Sequence, residues 1–292
     1  MLQKFSILVV LIAFSFSVFS QDAYMDAKTE DKEKTYLGGE SYEVKIFPQK
    51  FKAKKPKNII FLIGDGMGVS QVFAGLTANK GKLFLENCRY IGFSKTQASN
   101  NYITDSAAGG TALSAGVKTY NGAIGVNTDT VVVKTILEDA EDYGMATGLV
   151  STSAITHATP ASFIAHQPSR NMYEEIAADF LKTDIDVFIG GGLDHFTKRK
   201  DGRNLEKELK QKGYKIENDL NKIEKIKKGK LAALTADVHN GRMVERKNML
   251  PLATSTAINI LRKNKKGFFL MVEGSQIDWG GHAGSTIYIV ED

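Results

Sequence analysis

The stretch FLMVEGSQIDWGGHAG, Phe269 to Gly284, decides how the rest of the chain reads. Phe269 to Val272 is apolar and of strand length, as a buried strand requires. The run ends in a carboxylate, Glu273, and Asp278 and His282 follow closely. Upstream, NIIFLIGDGMG (Asn58–Gly68) repeats the pattern, an apolar β-branched run ending at Asp65. It reads as a strand buried on both faces. Further strands are expected over Met145–Ser153, Asp186–Gly192, Lys230–Ala236 and Gly267–Gly274. Helical patterns over Val69–Leu76, Val131–Tyr143, Met172–Lys182, Leu205–Lys212 and Met249–Asn264 alternate with them. That alternation specifies an α/β fold with a mostly parallel central sheet and helices on both faces. Ligands of such sheets sit at the carboxyl ends of the strands, where both Asp65 and Glu273 fall.

The chain has 292 residues, 42% hydrophobic and 24% charged, which is the composition of a globular protein with a proper core. Lys4 followed by FSILVVLIAFSFSVFS reads as a secretory signal peptide over residues 1–20, the alternative being a membrane anchor. Residues 21–56 form a polar, lysine-rich leader, and 57–292 one α/β domain. Periplasmic or secreted localisation follows from that start. The formal charge of +5 comes partly from KIEKIKKGK (Lys222–Lys230). Interleaved glutamate and the absence of a stacking aromatic make this a solvated face, so no nucleic acid is expected as a partner. The single cysteine, Cys88, excludes an internal disulfide and reads as a small buried residue.

Three more stretches carry chemistry. IGDGMGVSQ (Ile63–Gln71) sets Asp65 between glycines, suited either to capping the next helix or to close approach to an ion. TDSAAGGTALSAG (Thr104–Gly116) sets Ser106 at the start of a small-residue helix, as an N-cap or as a nucleophile favoured by the helix dipole. With no histidine base near it in sequence, its hydroxyl needs a metal such as zinc to ionise. THATPASFIAHQPSR (Thr156–Arg170) offers His157 and Thr159, which an extended chain would turn toward one ion. Hard oxygen ligands suit magnesium. The planar fork of Arg170 suits a phosphate. Asp278 with His282 suits zinc, and Glu273 would complete a magnesium site. Taken singly, each of these residues is more often structural.

Together, GDGMG, TDSAAGGTALSAG, THATPA with its following SR, and EGSQIDWGGHAG resemble the alkaline phosphatases from about Asn58 onward. The resemblance implies hydrolysis of small phosphate monoesters through a phosphoserine on Ser106. It implies a magnesium site of His157, Thr159 and Glu273, with Asp65 bridging to a zinc that Ser106 also meets. It implies phosphate held by Arg170, and Asp278 and His282 on a second zinc. It also implies a homodimer. Trp279 stands where some members carry lysine or histidine. The downstream zinc ligands of the family have no counterpart here: Asp194 with His195 sits in another motif, and His239 is no better placed. STIYIVED (Ser285–Asp292) reads as a stop within a helix, so a C-terminally truncated member with an incomplete sheet is expected. The alternative is an inactive metal- or phosphate-binding fragment. A sulfatase or phosphodiesterase on the same fold fits less well, because TDSAAGG lacks the cysteine signature of sulfatases.

Overall fold

A computed structural model describes residues 36, 38–48 and 55–292. The expected signal segment and most of the leader lie outside the described residues. Among those described, no helix is long and apolar enough to cross a membrane.

Six strands form one sheet: β1 (Asn58–Gly64), β2 (Ala146–Ala154), β3 (Val187–Gly191), β4 (Lys215–Ile216), β5 (Leu231–Leu234) and β6 (Phe268–Gly274). Their order is β1-β6-β2-β3-β5-β4, and every pairing is parallel. Parallel neighbours need crossovers, and helices supply them. The helix Met249–Leu261 packs Ala253, Ala257, Ile260 and Leu261 under Val150, Ile189, Leu270 and Val272. The opposite face carries Phe163, Phe180, Phe188 and Phe196 against Leu149, Phe269 and Met271. Successive side chains of a strand point to opposite faces, which is why Phe269 and Met271 belong to one core and Leu270 and Val272 to the other.

The same alternation places the polar residues. On the phenylalanine face, β1 runs Phe61, Ile63, then Asp65; β6 runs Phe269, Met271, Glu273; β2 runs Leu149, Ser151, Ser153. Each strand turns from apolar to polar on that face as it reaches its carboxyl end.

The structure corrects several expectations. β1 is not buried on both faces. It is an edge strand, paired with β6 alone, and Leu62 is 71% exposed. An apolar run shows what a strand could bury, not whether a neighbour exists to cover it. The helix expected from Val131 begins at Ile136. Thr135 caps it, its hydroxyl accepting the Glu138 N–H (3.2 Å) while the Glu138 carboxylate accepts the Thr135 N–H (2.8 Å). That reciprocal cap fixes the helix start, and Val132 bridges to Val126 instead. His157 and Thr159 do not both lie on extended chain: His157 is extended (φ −66°, ψ 161°) and Thr159 is helical. His157 precedes a short helix, Ala158–Ala161, that contains Thr159. Cys88 is exposed. β4 escaped the sequence reading because two residues show no period.

Gly267 ends the link from the Met249–Leu261 helix into β6 with φ +102°, and a Cβ there would lie 1.7 Å from the Lys57 carbonyl oxygen. Both the left-handed backbone and the backbone contact forbid a side chain. Gly267→Ala is expected to destabilise the fold by about 2–4 kcal/mol in urea unfolding. A loss under about 0.5 kcal/mol would contradict this packing.

A second expectation concerns pH. His166 Nε2 meets Glu138 Oε1 at 3.0 Å, and His166 Nδ1 meets the Gly125 carbonyl at 2.7 Å. Burial alone would lower the His166 pKa, but Glu138 and the Gly125 carbonyl outweigh it and hold it above 6.5. Burial alone would raise Glu138, but His166 and the Thr135 N–H hold it below 4.5. The raised histidine contributes stability that is full below pH 6.5 and lost as pH rises through its folded pKa. The lowered glutamate contributes stability that is full above pH 4.5 and lost as pH falls through its folded pKa. The pair therefore helps most between those values. Glu138→Gln is expected to cost about 1 kcal/mol near pH 5.5 and progressively less at alkaline pH. A cost independent of pH would show that the charge pair is not the cause.

Candidate active site

The strand order β1-β6-β2 brings three loops to one place. Register pairs Ile63 with Glu273 and Glu273 with Ser151. The Asp65 N–H donates to the Gly274 carbonyl at 3.1 Å, tying the two strand ends together. Gly66 turns the chain away from Asp65 with φ +62°, and a Cβ on it would meet Asp278 Oδ1 at 2.6 Å. Only glycine allows the Asp65 loop and the Asp278 helix (Gln276–His282) to approach so closely.

Ser106 is the first residue of the helix Ser106–Ala115. Its hydroxyl donates to Asp65 Oδ2 at 2.9 Å, which joins two stretches far apart in sequence. Asp105 caps that helix, Oδ1 accepting the Ala108 N–H at 2.9 Å. Its other oxygen accepts the Gly122 N–H (3.0 Å) and Arg170 Nη1 (3.0 Å). One aspartate thus aims both the serine helix and the arginine. Arg170 Nη2 donates to His157 Nε2 at 3.1 Å. A guanidinium has five N–H donors, so it keeps others for an anion. Asp65, Asp105, Ser106, His157, Arg170, Asp278 and His282 line one cavity of about 830 Å³. His282 Nε2 lies 3.5 Å from Asp278 Oδ2, its side chain 82% exposed at the rim.

Thr159 and Glu273 are buried beneath this cavity, not on its wall. Glu273 is pushed up to about 7, first by burial and then by repulsion from Asp65, against the hydroxyls of Ser151, Ser275 and Thr159. Asp65 is raised by burial, opposed by the Ser106 hydrogen bond and reinforced by the Asp278 charge. His157 falls to about 3, through burial and then the Arg170 charge, so its ring is neutral. Excess negative charge in a buried place and a neutral imidazole are what a cation site offers before its cation arrives. Glu273 Oε1 is buried with no hydrogen-bond partner, as is His157 Nδ1. Among the described residues, however, no three histidine, cysteine, aspartate or glutamate side chains form one cluster able to hold a metal ion. The structure draws the residues expected to bind metal together as neighbours, Asp65 with Ser106 and Asp278 with His282, not as closed cages.

Some participants were not read from sequence. Ser151 and Ser275 touch Glu273, and His239 packs against both His157 (ring centroids 5.5 Å) and Trp279 (4.9 Å). His239 Nδ1 accepts the Ala154 N–H at 3.0 Å. His195 is occupied elsewhere, 2.6 Å from the Thr156 hydroxyl and stacked on Tyr173. The role of Asp105 was open to the helix-start rule, since aspartate is a preferred N-cap.

The chain matches the alkaline phosphatase family over residues 56–292. It is 42% identical to alkaline phosphatase 3 of Bacillus subtilis, across 94% of this chain and 59% of that protein. The solved alkaline phosphatase of the Antarctic bacterium TAB5 superposes with a TM-score of 0.79 at 45% identity, covering 82% of this chain and 71% of that one. A histidine-to-aspartate variant of the TAB5 protein, solved with magnesium bound in its M3 site, gives a TM-score of 0.77 over 82% and 70% of the two chains, again at 45% identity. The chain spans about three fifths of the length of the Bacillus subtilis protein and of its Escherichia coli counterpart. With the family match, the all-parallel sheet and the serine–aspartate–arginine cavity in agreement, the chain belongs to the alkaline phosphatase family.

Proposed function

We propose that this chain carries the catalytic half-site of an exported, metal-dependent phosphomonoesterase. The reading rests chiefly on the Ser106 hydroxyl, held at 2.9 Å by Asp65 Oδ2 in the cavity that also holds Arg170. Ser106 is the nucleophile. Its oxygen attacks phosphorus, the ester oxygen leaves as the alcohol after taking a proton, and Ser106 becomes phosphoserine. Water then attacks the same phosphorus, frees inorganic phosphate and restores the hydroxyl. Arg170, aimed by Asp105, holds the non-bridging oxygens of the phosphoryl group through both steps. The alcohol faces the open cavity mouth, which favours broad substrate use.

Asp65 and neutral His157 on the cavity wall, with the oxygens of Thr159 and Glu273 buried behind it, offer donors that would suit magnesium. Ser106 with Asp65, and Asp278 with His282, offer donors suited to zinc. Bound cations supply positive charge for the ionised serine oxygen and the transferring phosphoryl group. The N-terminal apolar run supports export to the periplasm or medium, and a homodimer is the assembly we assign by family likeness.

The test is release of the chromophore from a chromogenic phosphate monoester by the full chain, with zinc and magnesium supplied at alkaline pH. Hydrolysis that chelator abolishes supports the reading. Folded protein that binds both metals and releases nothing favours the inactive metal- or phosphate-binding fragment.

A further inference from the structure

We propose that Ser151 and Ser275 are the positioning residues of the cation site: their hydroxyls clamp one oxygen of Glu273 and leave the other free for the cation. This rests on the metal-dependent reading of the site. Glu273 is fully buried, and its Oε2 accepts from Ser151 Oγ and from Ser275 Oγ, both at 2.6 Å. A carboxylate oxygen has two lone pairs, and two hydroxyl donors fill them. Oε1 is buried and closes no hydrogen bond; the Thr159 hydroxyl, which also favours the ionised carboxylate, lies near it without completing one.

The clamp is itself held. Ser151 and Ser275 approach to 2.9 Å, but each hydroxyl has one hydrogen, and both hydrogens are committed to Glu273. The Ser153 N–H reaches both hydroxyl oxygens, at 3.1 Å to Ser151 and 3.2 Å to Ser275. It occupies their lone pairs and turns their hydrogens toward the carboxylate. The Ser275 N–H donates in turn to the Thr152 hydroxyl at 2.9 Å. The geometry follows from topology, since the parallel register sets Ser151 beside Glu273 on one face of the sheet. An arrangement that only solvated a buried carboxylate would supply donors to both oxygens, because an unmet buried acceptor is costly. This one spends the two serine hydroxyls on Oε2 and leaves Oε1 without a completed hydrogen bond. Groups that orient a ligand in this way carry much of a metal site's affinity.

Trp279 is the only tryptophan of the chain, and its ring lies 6.0 Å from that of His157. Its fluorescence therefore reports Mg²⁺ binding without any assay of hydrolysis. Mg²⁺ alone is titrated into the full chain and its Ser151→Ala, Ser275→Ala and Ser114→Ala variants, with the melting temperature of each metal-free protein measured alongside. Ser151→Ala and Ser275→Ala are expected to weaken Mg²⁺ about 10–100-fold. Ser114→Ala, also buried but not bonded to Glu273 or to either clamp serine, is expected to change it less than about threefold, because its hydroxyl meets only the Ser162 and Thr111 carbonyls. Unchanged affinity in the first two variants overturns the proposal, and so does an equal loss in Ser114→Ala. If one clamp variant fails to fold, the other decides. A wild-type chain that binds no Mg²⁺ overturns both the clamp and the metal-dependent reading, whereas Mg²⁺ binding without hydrolysis removes only the catalytic one.

Discussion

Ser106→Ala is expected to lower phosphomonoester hydrolysis by at least about a thousandfold, with the melting temperature nearly unchanged. In the proposed mechanism the serine supplies the oxygen that forms the covalent intermediate, and nothing else lining the cavity offers a hydroxyl so placed. Thr104 lines the same cavity but turns its hydroxyl to the Asp105 carbonyl at 3.1 Å. The fold should not notice the change, because Asp105, not Ser106, caps the helix. Steady-state rates with a chromogenic monoester check this. A residual rate within tenfold of the wild type would mean that Ser106 is a helix residue and that another group attacks phosphorus.

Arg170→Ala is expected to reduce kcat/KM about 100-fold and to weaken inhibition by inorganic phosphate. The guanidinium stands between Asp105 and His157, so its plane is fixed before an anion arrives. Pre-set donors stabilise developing charge without reorganising. Arg170→Lys keeps the charge but not the fork, and should recover only part of the loss. Removing the guanidinium also takes a positive charge from beside His157, whose pKa should then rise. A full wild-type rate in Arg170→Ala would show that the anion is held by other groups.

Much of this site was legible in the sequence because parallel sheets deliver their loops to one edge. An apolar run ending in a carboxylate says both that a strand is there and where its end points. That logic found Asp65 and Glu273. The clamp on Glu273 escaped it, because Ser151 lies 122 positions away and becomes a neighbour only through strand register. Sequence shows the order of strands along the chain, not their order in the sheet. The exposure of β1 escaped for the same reason. His239 was set aside as a stand-in for the downstream zinc ligands of the family, and only the structure shows it packed on His157 and Trp279. The late start of the Ile136–Asp142 helix was legible, since Thr135 and Glu138 form a capping box, but the apolar run before it suggested a longer helix.

The proposed reaction turns on covalent chemistry at Ser106. The direct measurement is acid quenching of the full chain during turnover of a phosphate monoester, followed by mass spectrometry of its peptides. One phosphoryl group is expected on the peptide containing Ser106, absent from Ser106→Ala. Turnover with no adduct, or an adduct that survives in Ser106→Ala, would contradict it.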